Sequence, residues 1–149
     1  MAAMADLSNS TAKHSEKQAV EAVIRANYNA FTTRVTDDNA EYAANGVTIW
    51  DVFEPELIIG IEARKAFQRR DIDQSVARGA LTFDVTIQFI TLHGHIAISR
   101  HHVDFNYEPP NAVSGHVRVT QVLQKFGGQW KIIHTQEGMV PTGVPEIEQ

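Results

Sequence analysis

Residues 117–134 read VRVTQVLQKFGGQWKIIH, and this stretch decides the architecture. An extended run ends at Gly127 and Gly128, which suit a tight hairpin, and a second run opens on Trp130 and continues to Met139. Upstream the same period of two persists. Leu81, Phe83, Val85, Ile87 and Phe89 alternate with polar residues, Leu92-His93-Gly94-His95 makes a tight turn, and residues 96–107 form a strand that Pro109 and Pro110 break. Four long strands in an antiparallel meander follow.

Before Leu81 the period is 3.6. A capping box at Ser15 and Gln18 opens a long amphipathic helix carrying Val20, Val23, Ile24, Asn27, Tyr28, Phe31 and Val35 on one stripe. Asp37 and Asp38 start a second short helix through Ala43, which Asn45 and Gly46 end. Residues 47–53 alternate around Trp50 and Asp51 as a short strand closed by Pro55, and Gly60 turns into another helix. That helix buries Ile61, Ala63, Ala66, Phe67 and Ile72 and presents Arg64, Lys65, Arg69 and Arg70 as a solvated basic face. Helices and a short strand followed by a meander define an α+β roll. Residues 1–14 read as a flexible leader, 15–141 as the folded domain and 142–149 as an extended tail.

Composition narrows the function. The 149 residues suit one domain; 43% are hydrophobic and 21% charged, enough apolar content to bury a core around a pocket. With 13 Lys+Arg against 18 Asp+Glu the net charge is −5, which opposes nucleic acid and anionic membrane as partners. The absence of cysteine excludes disulfides, thiolate nucleophiles and Cys-based metal sites. No apolar run spans a membrane or resembles a secretory signal, so the expected location is cytoplasmic.

Along residues 47–53, Ile49, Asp51 and Phe53 share one face, which sets a carboxylate between apolar neighbours. If Leu92 faces His95 across the turn, the concave side of the next strand carries Ile96, Ile98, Arg100, His102 and Asp104. The Gly127-Gly128 hairpin sets Thr120 near Gln136 and Val122 near His134, which gathers His116, Arg118, Thr120, Trp130, His134 and Gln136 on one face. So many polar groups on a concave face point to a wet cavity built for a ligand; the alternative is a satisfied network or a subunit interface. Val103, Phe105, Val117 and Val119 would then lie on the open face, as expected of a homodimer.

The order of elements, the Asp after a short strand and the ending VRVTQVLQKFGGQWKIIH resemble the SnoaL-like polyketide cyclase and ketosteroid isomerase-like families, from Ser15 to about Pro141. The resemblance implies a cone of nuclear-transport-factor type, with a curved antiparallel sheet wrapped around N-terminal helices and an internal pocket. It implies a general base at Asp51, in TIWD, and an oxyanion donor at Tyr28. The position of that family's second acidic donor is occupied by Thr120.

The expected function is a cofactor-independent acid–base enzyme of isomerase, cyclase or lyase type, acting by proton abstraction on a hydrophobic aromatic or polycyclic oxygenated molecule. Asp51, Tyr28, His102 and His134 are the candidate catalytic residues; Arg118, Thr120, Phe53 and Trp130 are the candidate substrate contacts. Phe67, Phe83 and Phe89 add aromatic surface for a flat guest. His102, Asp104 and His116 are the set from which a metal site would be built, and none is expected. The other class is a non-catalytic small-molecule-binding or dimeric assembly module of the same fold.

Overall fold

A computed structural model of the protein describes residues 2–33, 41–145 and 147. Helix α1 (Ala2–Thr33) begins well before Ser15. Its first half holds Ala, Met, Lys, Glu and Gln with no Gly or Pro, so nothing stops the helix from running back through the expected leader. Of the expected stripe, Val20, Ile24, Asn27 and Tyr28 are buried and Val23 and Phe31 half-buried, and Ala30 is buried beside them. The proposed helix start at Asp37 and Asp38, and Val35, lie outside the described residues. Ala43, Asn45 and Gly46 do not end a helix; they belong to strand β1 (Ala43–Trp50).

A two-residue strand, β2 (Ile58–Ile59), pairs antiparallel with β1. Gly60, at φ 88°, then turns the chain while its N–H donates to the Val47 carbonyl at 2.7 Å. Helix α2 (Ile61–Ala77) follows. Its inner face is not the expected one: Arg64 and Gln68 are buried, whereas Ala63 and Ala66 are exposed. A stripe at 61, 64, 68 and 71 is as good a helical stripe as one at 63, 66 and 67, and only the packing partner distinguishes them.

The meander comprises β3 (Leu81–His93), β4 (Ile96–Tyr107), β5 (Val113–Phe126) and β6 (Gln129–Met139). The six strands form one curved, unclosed sheet in the order β2-β1-β6-β5-β4-β3, with β1 parallel to β6 and every other pair antiparallel. The architecture is the α+β cone.

Two bulges decide which residues face inward. At the tip of the first hairpin Leu92 pairs with Ala97, so odd meets even as the turn requires. Further back Ile87 pairs with His101 and Phe89 with Arg100, leaving Gln88 as an extra residue, and from there odd pairs with odd. The inward residues of β4 are therefore Ala97, Ser99, His101, Val103, Phe105 and Tyr107, all buried. A second bulge at Ile133 lies between the pairs Val122–His134 and Leu123–Ile132. It brings Trp130 and Ile132 inward at one end of β6, and Thr135 and Glu137 at the other.

Apart from Trp130, the even set expected on the concave side thus lies on the outer face. Val103, Phe105, Val117 and Val119, expected outside, are interior residues no more than 9% exposed. The error is one of parity, since a bulge of one residue exchanges the two faces of everything beyond it.

Candidate active site

The concave side of the sheet, α1 and α2 enclose a cavity of about 420 Å³. That is ample for one medium-sized organic molecule. Asp51, Tyr28 and Phe53 all line it, as expected. Asp51 follows directly on β1, and its Oδ2 accepts a hydrogen bond from the Phe53 N–H at 2.9 Å, which fixes the carboxylate at the strand end. Phe53, Phe67, Phe83 and Phe105 supply aromatic wall.

The other expected residues do not reach this cavity. His102 and Arg118 face each other in the register of β4 and β5 and are exposed on the outer face. Thr120 lies on the same outer face, half-buried. His134 is half-buried against β1, its Nδ1 2.7 Å from Thr48 Oγ1. Trp130 is buried, but its indole N–H donates to Glu16 at 2.8 Å beside Lys125, a clamp between α1 and the last hairpin outside the cavity. Phe89 is 60% exposed, with Arg100 over its ring. Asp104 pairs with His116 on the outer face, and among the described residues no group of three or more His, Asp or Glu is arranged to hold a metal ion.

In their place the second bulge brings Glu137 into the cavity wall, and the inward face of β4 sets His101 behind Tyr28. Glu137 neighbours Asp51 where β1 and β6 pair at Trp50 and Gln136, and Asp71 from α2 completes a cluster of three carboxyls lining the cavity. Burial and then the adjacent Asp51, with a lesser effect of Asp71, push the Glu137 carboxyl well above its ordinary value. Burial and then Asp51 raise Asp71, while Arg78 opposes the rise. One cavity wall therefore holds an acid that resists ionisation in contact with a second carboxyl.

Across from it, Tyr28 Oη lies 3.0 Å from His101 Nε2, and His101 Nδ1 lies 3.0 Å from Ser99 Oγ. Burial lowers the His101 pKa to about 4, helped by the nearby Arg25 and His102, so its imidazole is neutral near pH 7. Burial, and secondarily Glu137, raise the Tyr28 phenol well above its usual value and keep it a donor.

Glu137 and His101 were legible as titratable residues in strands. Their inward orientation was not, because no feature of Gln88 or Ile133 alone announces a bulge.

With this geometry, the family can be stated. Residues 20–141 match the SnoaL-like domain model, and the chain belongs to the SnoaL-like family. No curated protein matches it. Among solved structures, it is similar to an NTF2-like protein with a cystatin-like fold from Novosphingobium aromaticivorans, at 11% identity and TM-score 0.80 over 92% of this chain and 90% of that one. It is also similar to a protein from Streptomyces avermitilis described as a candidate dehydratase of the NTF2-like family, at 15% identity and TM-score 0.72, covering 87% and 99%. A candidate calcium/calmodulin-dependent protein kinase type II association domain from Thiobacillus denitrificans aligns at 19% identity and TM-score 0.66, covering 81% and 94%. These likenesses show the NTF2-like fold. No helix among the described residues is long and apolar enough to cross a membrane.

Proposed function

We propose that this protein is a cofactor-independent acid–base enzyme, an isomerase, cyclase or lyase, that takes a proton from a hydrophobic oxygenated small molecule bound in the cavity. The observation that carries the reading is the neighbouring pair of carboxyls, Asp51 and Glu137, on the wall of a cavity also lined by Tyr28. Two carboxyls in contact divide the work. Glu137, held toward its neutral form, donates to Asp51 and keeps a proton for the leaving or receiving atom; Asp51 accepts the proton drawn from carbon or hydroxyl.

Charge then develops on a substrate oxygen, and Tyr28 is the donor aimed at it. In the His101 tautomer protonated at Nε2, Ser99 donates to Nδ1 and Nε2–H donates to Tyr28 Oη, which leaves the phenol proton for the substrate. Phe53, Phe67 and Phe83 suit a flat guest. A homodimer formed through the outer sheet face, which carries His102, Arg118 and Thr120, and a cytoplasmic location belong to the same reading.

The test is deuterium exchange or elimination across a panel of aromatic and polyketide-like ketones and alcohols. Asp51→Asn should lower the rate by roughly 10²- to 10⁴-fold with the fold intact. Unchanged turnover in the folded variant overturns the assignment. Stabilisation by the panel with no exchange or elimination favours a binding module.

A further inference from the structure

The cavity has a cationic end that the acid–base reading does not use. Arg64, on the first turn of α2, is 4% exposed and lines the cavity. Its Nη2 donates to Asn27 Oδ1 at 2.6 Å, while Nη1 is buried without a hydrogen-bond partner. Among the described residues no carboxylate pairs with it, and burial is the cause that lowers its pKa to about 10. A guanidinium deprived of water and given one neutral amide is incompletely compensated, a condition a bound anion relieves.

The chain's own carboxyls stand elsewhere. Asp71 lies seven residues along α2, about 10 Å at the helical rise, and it is Asp51 and Asp71 whose charges act on Glu137. The carboxyl cluster and the Arg64 guanidinium thus stand apart in the cavity, whose other two arginines face carboxylates: Arg70 pairs with Glu54 at 3.8 Å and Arg78 acts on Asp71. Gln121, 2% exposed, adds another polar atom in the wall: its amide donates to Thr135 Oγ1 at 3.2 Å, and its Oε1 has no partner.

We infer that the cavity takes a hydrophobic monocarboxylate, whose carboxylate pairs with the Arg64 guanidinium while its body lies along the aromatic wall toward Asp51. One undercompensated guanidinium suits a singly charged group, and the three clustered carboxyls oppose a more highly charged ligand. The inference names the substrate class of the site proposed above and rests on that site being the functional one.

The test is equilibrium binding of 2-naphthoate and 2-naphthamide, isosteric probes that differ in charge, to the full chain by calorimetry at pH 7. Wild type should prefer the carboxylate by about tenfold or more. Arg64→Gln should abolish the preference and Arg64→Lys should restore part of it. Should the Gln variant not fold, the Arg64 side-chain nitrogen resonances of the wild type serve instead, moving with 2-naphthoate and not with 2-naphthamide. Absence of a preference in wild type, through equal binding or none, overturns the inference, as does a preference that survives in Arg64→Gln. Neither probe turns over, so these outcomes are separate from exchange in Asp51→Asn, which decides the acid–base chemistry.

Discussion

Tyr28 Oη sits 3.0 Å from His101 Nε2, and the two rings meet edge to face with centroids 5.7 Å apart, so the phenol at the cavity wall is positioned by a neutral imidazole from the sheet. A buried, aligned donor costs nothing to reorganise when charge appears on a substrate. Tyr28→Phe should therefore lower turnover by roughly 10²-fold, on the scale of losing one oxyanion donor. If His101 acts through Tyr28, His101→Gln in the Tyr28→Phe background should add little further loss of activity. Additive losses in the double mutant, measured by steady-state kinetics, would contradict that coupling.

His101 also ties stability to pH. Its folded pKa, about 4, lies below the usual 6.5, so protonation favours the unfolded chain. The contribution is fully present above about pH 6.5 and is lost as pH falls toward 4, roughly 3 kcal/mol over that window. Urea titrations from pH 7 to 4 should show this slope in wild type and a shallower one in His101→Gln.

Glu137 has the opposite sign. Its folded pKa is raised by burial and by Asp51, so its contribution is present below the ordinary carboxylate pKa and disappears as pH rises through the folded value. Glu137→Gln keeps a hydrogen-bonding side chain beside Asp51 without the charge. It should melt higher than wild type at pH 8, with the difference vanishing near pH 4, while activity falls. A lower melting temperature at pH 8 would show that Glu137 is stabilised as the anion.

Gly79 holds α2 against the end of β4. Its N–H donates to the Glu108 carbonyl at 3.0 Å, Glu108 N–H donates back to Ala80 O at 2.9 Å, and a Cβ there would collide with the carbonyl oxygens of Glu108 and Pro109. Backbone cannot move aside as a side chain does. Gly79→Ala should cost about 1 to 3 kcal/mol, against less than about 0.5 for Gly138→Ala, where a Cβ meets nothing within 4 Å. Chemical denaturation of the two variants checks the contrast.

The contrast between Asp51 and His102 shows how much of the site the sequence carried. Asp51 is one residue beyond β1, whose alternation is regular from Val47 to Trp50 after the irregularity between Ala43 and Thr48, so Ile49, Asp51 and Phe53 reach the cavity as the sequence implies. His102 is fourteen residues beyond Gln88, and its face depends on how the bulged β3 pairs with β4. Arg64 was misread for a related reason: an arginine on a helix is normally solvated, and only its meeting with Asn27 of α1 makes it an interior residue.

Local periodicity and turn chemistry alone determined the long helix, the four-stranded meander, both glycine-bearing hairpins and the carboxylate at position 51, because each depends on neighbours within a few residues. The tertiary structure decided that Ser99, His101, Gln121 and Glu137 face inward while His102, Arg118 and Thr120 face out. It likewise decided that Arg64 is buried beneath α1. Those outcomes rest on two single-residue bulges and a helix–helix contact, whose energies come from cross-strand pairing and packing between segments far apart in the chain.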